Sequence, residues 1–219
     1  MTLCNPTIER VLSRLYAEAK ENDRRLELEQ KAAAEAFGNG PLDEETLSSI
    51  RNRMFMAIAP EVGRLYYLLV RTFKPDRVVE FGSSFGLSAI HLAAALRDNG
   101  SGHLVATEQC SDKALRATQH FEQAGLSDLI ELRQGDAFET LHGVNKIDML
   151  LLDGWKPLYL PLLHQLEPVL SPRCLVVADD VISHSVYLGP YLDYVRNRAN
   201  GYISCEVPLD DGMELSFRG

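Results

Sequence analysis

The segment Lys146-Ile147-Asp148-Met149-Leu150-Leu151-Leu152-Asp153-Gly154-Trp155-Lys156 sets the strongest limit on what this chain can become. Its apolar run reads as a strand buried on both faces, the kind found in parallel sheets covered by helices. The end of the run delivers a carboxylate, an indole and an ammonium together, at Asp153, Trp155 and Lys156. Open α/β sheets bind ligands there, at the carboxyl ends of their strands. A second such strand, Cys174-Leu175-Val176-Val177-Ala178, ends in the pair Asp179-Asp180. Three acids on two strand ends suggest a metal.

Strands and helices alternate around these two. Arg77–Phe81 is the expected first strand, Leu87–Leu96 a helix, Leu104–Thr107 a strand, Asp112–Ala124 a helix and Leu129–Arg133 a third strand. A helix around Leu158–Leu166, which Pro157 can open, separates the strand ending at Asp153 from the one ending at Ala178. Such alternation implies an α/β fold with a doubly wound, mostly parallel sheet. Near the end, Tyr202–Val207 and Met213–Phe217 read as short strands joined by Pro208-Leu209-Asp210-Asp211-Gly212, an antiparallel hairpin.

Ahead of the sheet, Ile8, Val11, Leu12, Leu15, Tyr16 and Ala19 recur at helical spacing, and a charged stretch carries the helix to about Phe37. Gly38-Asn39-Gly40-Pro41 breaks it and places a linker at 38–42. Asp43-Glu44-Glu45 opens a helix running through Ile50 towards Met54, and Glu61–Phe73 leads into the core until Lys74-Pro75-Asp76 stops it. A single domain is expected over 1–219, with 1–60 a helical lid and 61–219 the α/β core. The apolar stripe of the first helix needs a partner, which makes a homodimer through these helices an expectation.

Composition narrows the function. With 46% apolar residues in 219, the chain can bury a sizeable core. A net charge of −9 without any lysine- or arginine-rich run argues against a general affinity for nucleic acid, leaving a small neutral or anionic substrate with a cation as mediator. Cys4, Cys110, Cys174 and Cys205 offer no CxxC pair and no zinc-ligand spacing, and read as the reduced thiols of a cytoplasmic protein. No apolar stretch approaches the ~18 residues of a membrane span, so no membrane partner is expected.

The first strand-to-helix turn, Glu80-Phe81-Gly82-Ser83-Ser84-Phe85-Gly86-Leu87-Ser88, has glycines at both ends of five residues. Gly82 lets the backbone pass close to a ligand and Gly86 lets the helix start tight against the strand, but the full GxGxxG of a pyrophosphate site is missing. The second strand ends at Glu108, an acid placed to accept from both hydroxyls of a ribose. The third leads into Gly135-Asp136-Ala137, where an adenine is expected. A ligand with ribose and adenine but no phosphates fits best, and S-adenosylmethionine has that constitution. Glu80 is expected to order the glycine turn through backbone hydrogen bonds.

At these residues the chain resembles the cation-dependent class I O-methyltransferases, the group of catechol and caffeoyl-CoA O-methyltransferases. The resemblance covers roughly residues 54–182 and rests on Val-Val-Glu-Phe-Gly-x-x-x-Gly-x-Ser (78–88), Leu-Leu-Asp-x-Trp-Lys (151–156) and Ala-Asp-Asp-Val (178–181). It implies the Rossmann-like class I methyltransferase fold. It also implies that Gly82, Ser88 and Glu108 hold the cofactor, that Met56 lines the methyl-transfer site from the lid, that Asp153, Asp179 and Asp180 hold a divalent cation, and that Lys156 is the base. Glu80, Gly86, Asp136, Ala137, Asp153 and the candidate adenine wall Trp155 complete the expected cofactor site. Magnesium is the first expectation for the cation, with manganese and calcium as alternatives.

The chemistry behind that assignment is simple. A catechol hydroxyl titrates near ~10 and is a poor nucleophile at neutral pH. A hard cation held by carboxylates can bind both vicinal oxygens and lower the pKa of one. Lys156, if desolvated beside a cation, is expected to have a lowered pKa and to take the proton, while oxygen displaces S-adenosylhomocysteine from the methyl carbon. The chain departs from the family at Asp180, where asparagine is usual, and at Gly154, where some relatives carry a bulkier residue. Its segment Ser183–Leu209, where the family shapes the acceptor pocket, matches weakly.

Blander readings stand beside these. Asp179-Asp180 also suits a cap for a helix beginning near Val186, and Lys156 a surface position at a helix start. His91, His103, His120, His142, His164 and His184 show no ligand spacing, and only His184, just past the metal strand, qualifies for the pocket. Tyr187, Tyr191 and Tyr194 at helical spacing indicate packing. Methylation of a hydroxylated nucleoside in tRNA, a non-catalytic S-adenosylmethionine-binding protein and, more distantly, a dehydrogenase are the rival functions.

Overall fold

The computed structural model of the protein describes residues 1–36 and 42–219. Helices α1 (Pro6–Ala36), α2 (Glu44–Arg51) and α3 (Pro60–Phe73) precede strand β1 (Arg77–Phe81). There follow α4 (Leu87–Asn99), β2 (His103–Glu108), α5 (Ser111–Ala124), β3 (Ile130–Gln134), the short α6 (Ala137–Thr140) and β4 (Ile147–Leu152). The chain ends with α7 (Tyr159–Leu166), β5 (Leu170–Asp179), α8 (Ser185–Arg196), β6 (Tyr202–Val207) and β7 (Met213–Arg218). The seven strands form one sheet in the order β3-β2-β1-β4-β5-β7-β6. The first five strands run parallel, and β7 inserts antiparallel between β5 and β6. This is the Rossmann-like fold with a C-terminal antiparallel hairpin that the alternation implied.

Register places the site. Phe81 pairs with Thr107 on one side and Leu152 on the other, and Leu152 pairs with Ala178. The residues that follow, Gly82, Glu108, Asp153 and Asp179, therefore leave the sheet in one level row. β1 hands the chain to β2 in one direction and has β4 on its other side, so the strand order reverses there and opens the crevice that doubly wound sheets use.

Both faces of the sheet are covered, as its apolar strands require. One core joins α1, α3, α4 and α5 to Val78, Leu104, Met149 and Val177. The other joins α7 and α8 to Val79, Leu150, Leu152 and Val176. The apolar stripe of α1, Ile8, Val11, Leu12, Leu15 and Ala19, is buried in the first core. Its need for a partner is met within the chain, which removes the argument for a dimer through that helix. Among the described residues no helix is long and apolar enough to cross a membrane.

Several boundaries differ from the sequence reading. β5 begins at Leu170, four residues before the apolar run; Ser171 is half-buried and Pro172 and Arg173 are exposed, so these positions carry no burial signal. Asp136 accepts from the Phe138 N–H and starts α6, a single turn too short to show a period. Pro157 opens a 3-10 turn at Lys156–Leu158, and α7 proper starts at Tyr159. Asp43 caps α2, which ends at Arg51 rather than near Met54. The 38–42 linker lies outside the described residues except for Leu42, which is buried. Of the tyrosines at 187, 191 and 194, Tyr191 is core and Tyr194 bonds Glu167, while Tyr187 is exposed.

Candidate active site

The glycine turn is set by close backbone approach. Gly82 has φ +92°, and a Cβ there would lie 2.6 Å from the Gly154 Cα. A Cβ on Gly154 would in turn lie 2.5 Å from the Phe81 ring. The end of β4 thus packs directly on the turn after β1, and both glycines are sterically required, which explains why position 154 carries no larger residue. Gly86, at φ +88°, begins α4 with no room for a Cβ against Phe121. Ser88 is buried within the first turn of α4.

Glu80 does not do what the sequence reading assigned it. Its side chain is 0% exposed, and neither carboxyl oxygen has a hydrogen-bond partner among the described residues, so it does not order the turn. Burial pushes it up to about 7, tempered by the nearby Ser88 and Ser83 hydroxyls. The Ser83 Oγ is also without a partner. Orphaned buried acceptors of this kind are what a donor-bearing ligand would satisfy. Glu108 accepts from the Ser84 N–H through Oε2 (2.8 Å) and from the Cys110 N–H through Oε1 (2.8 Å). Each oxygen keeps a lone pair for a ligand hydroxyl. Asp136 spends its carboxylate on capping α6, and Ala137 is buried behind it.

Two of the three acids at the ends of β4 and β5 hold one ammonium, and the third is bonded to a buried tyrosine. Lys156 Nζ lies 2.6 Å from Asp180 Oδ2 and 3.5 Å from Asp153 Oδ1, and donates to the Tyr159 hydroxyl at 2.9 Å. Asp179 accepts from the buried Tyr66 hydroxyl (2.6 Å) and from the Asp180 N–H (2.9 Å). Asp180 sits at φ +64°, a left-handed conformation in which an acid or asparagine is the usual non-glycine occupant. Neither acid caps α8, whose N-cap is His184 and has no side-chain cap bond. Lys156 is 11% exposed in its side chain, so it is not the surface lysine of the blander reading.

Charge in this cluster is unbalanced. Burial raises Asp153 well above its ordinary value; Lys156 offsets part of that rise, while Asp179 and Asp180 add to it. Burial likewise raises Asp179 to about 6. Desolvation would lower Lys156, but Asp153 and Asp180 outweigh it and hold the ammonium above its ordinary value. The expectation of a lowered lysine is thus reversed in this geometry, for an electrostatic reason: two carboxylates face it at close range. Among the described residues no three acids, histidines or cysteines converge as a coordination set. The donor chemistry, three oxygen acids short of positive charge, nonetheless fits a hard divalent cation, which would have to replace the Lys156 ion pair.

The chain between α1 and α3 contacts the turns that follow these strand ends. Met56, 57% exposed and at φ +46°, follows Phe55, and both of their N–H groups donate to Asp23 of α1, at 2.9 and 2.7 Å. Trp155 is 54% exposed, with the Arg51 guanidinium of α2 stacked 4.9 Å from its ring. His184 sits at the rim, its Nδ1 4.0 Å from Asp180 Oδ2. Tyr66, Tyr159, Asp23 and Ser84 escaped the sequence reading. Each acts through a contact distant in the chain, apart from Tyr159, which falls three residues after Lys156 on the adjoining turn.

Residues 79–181 match a family model described as a methyltransferase domain. The chain is 30% identical over 176 residues to catechol O-methyltransferase B of Danio rerio, covering 74% of this chain and 65% of that protein. It is 30% identical over 135 residues to the catechol O-methyltransferase of Sus scrofa, covering 58% of this chain and 72% of that protein. The solved structure of the O-methyltransferase TomG from Streptomyces achromogenes in complex with SAM matches with a TM-score of 0.67 at 24% identity, covering 74% of this chain and 82% of that chain. The chain belongs to the class I S-adenosylmethionine-dependent O-methyltransferase family. It spans a little under two thirds of the Danio rerio relative's length.

Proposed function

We propose that this protein is an S-adenosylmethionine-dependent O-methyltransferase that methylates one hydroxyl of a small catechol-like phenol with the help of a divalent cation. The observation that carries the reading is the pairing of Asp153 and Asp180 with the Lys156 ammonium, with Asp179 at the end of β5, level with the glycine turn of β1 and with Glu108. Family membership supports the cofactor, and the catechol O-methyltransferases among the relatives support the acceptor class.

In this reading Gly82, Gly86, Ser88 and Glu80 form the cofactor seat. Glu108 takes the ribose, Asp136, Ala137 and Trp155 flank the adenine, and Met56 closes the seat from the lid. The cofactor supplies an activated methyl group. Asp153, Asp179 and Asp180 would hold the cation, which would supply positive charge to favour ionisation of the acceptor hydroxyl. Lys156 Nζ stands where a proton leaving an acceptor hydroxyl can be received. Asp153 and Asp180 keep it an ammonium in this arrangement, and it would become a base once both carboxylates turned to the cation. The Tyr66 hydroxyl fixes the orientation of Asp179, and the lid keeps water from the row of strand ends.

The test is release of S-adenosylhomocysteine with a panel of catechols and matched monophenols, with magnesium and with EDTA, for wild type and Asp153→Ala. Catechol-only turnover abolished by both EDTA and the substitution is expected. Turnover that survives both removes the cation from the reading, and no turnover with any diol removes the acceptor class.

A further inference from the structure

One residue touches both the cofactor side and the lid side of the site. Ser84 lies inside the glycine turn at φ +46°, and its N–H donates to Glu108 Oε2 at 2.8 Å. Its hydroxyl donates to the Phe55 carbonyl at 2.8 Å and accepts from Lys113 Nζ at 3.3 Å. Lys113 is only 4% exposed, a rare position for an ammonium, and it has no use in the chemistry proposed above. It lies over the Phe85 ring, 5.4 Å from the centroid. Phe85 stacks on Phe55 with centroids 4.0 Å apart, and the Arg116 guanidinium, paired with Glu18 of α1, covers both rings.

The strip Asn52–Met56 is therefore gripped from two sides. From α1, Asp23 receives the N–H groups of Phe55 and Met56, and Asn22 Nδ2 donates to the Arg53 carbonyl at 2.8 Å. From the core, the Ser84 hydroxyl, itself held by Lys113, donates to the Phe55 carbonyl. The same Ser84 is bonded to the acid at the end of β2. Two hydrogen bonds separate Glu108 from the backbone that carries Met56.

We propose that Ser84, supported by Lys113, is a positioning residue that couples occupancy of Glu108 to the placement of the lid strip Asn52–Met56. The proposal rests on the methyltransferase reading for the identity of the ligand at Glu108, while the grip on the strip stands on the contacts alone. A ligand hydroxyl on Glu108 fixes the carboxylate, the carboxylate fixes the Ser84 N–H, and the Ser84 hydroxyl fixes Phe55 and with it Met56. Coupling of this kind is reciprocal: a strip held in place also favours the ligand.

Amide hydrogen exchange of Phe55 and Met56 tests this, in wild type, Ser84→Ala, Lys113→Met and the double variant, with and without S-adenosylhomocysteine. Without ligand, Ser84→Ala is expected to speed exchange at these two amides about fivefold, the loss of one hydrogen bond, while amides of β4 are unchanged. The double variant is expected to match Ser84→Ala, because both side chains act through one hydroxyl. S-adenosylhomocysteine is expected to slow exchange of the strip in wild type, and to bind Ser84→Ala without slowing it. Equal exchange in ligand-free wild type and Ser84→Ala overturns the grip. Retained slowing by ligand in Ser84→Ala, or bound ligand that leaves the wild-type strip unchanged, overturns the coupling. If wild type binds no S-adenosylhomocysteine, the methyltransferase reading and the coupling fall together, and the ligand-free comparison still decides the grip.

Discussion

Protonating His91 should unfasten the N-terminal helix. The imidazole is buried between α1, α3 and α4: Nε2 lies 3.1 Å from the Tyr16 hydroxyl, and Nδ1 has no partner among the described residues. Burial, with the Arg64 charge as a second cause, pulls its pKa down from 6.5 to about 4. The folded pKa is below the unfolded one, so the unfolded chain binds the extra proton between these values. Stability is complete above pH 6.5 and declines as pH falls towards 4. The gap, at ~1.4 kcal/mol per pH unit, makes a full loss of about 3 kcal/mol, of which about 2 kcal/mol is gone by pH 5. Urea unfolding followed by far-UV circular dichroism from pH 7.5 to 4.5, for wild type and His91→Gln, isolates this contribution because the carboxylates titrate in both proteins. The wild-type curve should fall by about 2 kcal/mol relative to the variant between pH 7 and 5. Parallel curves would refute the assignment of a neutral, buried imidazole.

Gly63→Ala should destabilise the fold by roughly 1–3 kcal/mol in thermal unfolding, although alanine ordinarily favours a helix, because the new Cβ overlaps the His91 ring. Asp98→Ala removes the acceptor of the Thr2 N–H, the Thr2 hydroxyl and the Tyr67 hydroxyl. It should cost about 1–2 kcal/mol and expose the N-terminal turn to limited proteolysis. Gly82→Ala meets both a left-handed φ and the Gly154 backbone, and calorimetry should find binding of S-adenosylhomocysteine lost while most of the fold survives.

The sheet was legible because its strands differ so sharply from their surroundings. Arg77–Phe81 and Tyr202–Val207 have the observed bounds, and the acids, glycines and lysine of the site fall at strand ends where apolar runs stop. The start of β5 was hidden because edge residues such as Pro172 and Arg173 lack any burial pattern. The state of Lys156 was hidden for a different reason. Its sign depends on how close Asp180 comes, 2.6 Å, and no spacing in the chain encodes that distance. Glu80 likewise reads as a turn-orderer until its missing partners are seen. The Ser84 grip joins residues 29 apart, Phe55 and Ser84, by a single hydroxyl, which sequence alone cannot reveal.

Manganese binding followed by electron paramagnetic resonance, in wild type, Asp153→Asn and Lys156→Met, tests most directly whether the acids of β4 and β5 form a cation site. The account predicts one ion per chain, bound roughly tenfold or more weakly in Asp153→Asn and more tightly in Lys156→Met, where the ammonium no longer competes for Asp180. Equal binding in all three proteins, or no binding in any, would contradict it.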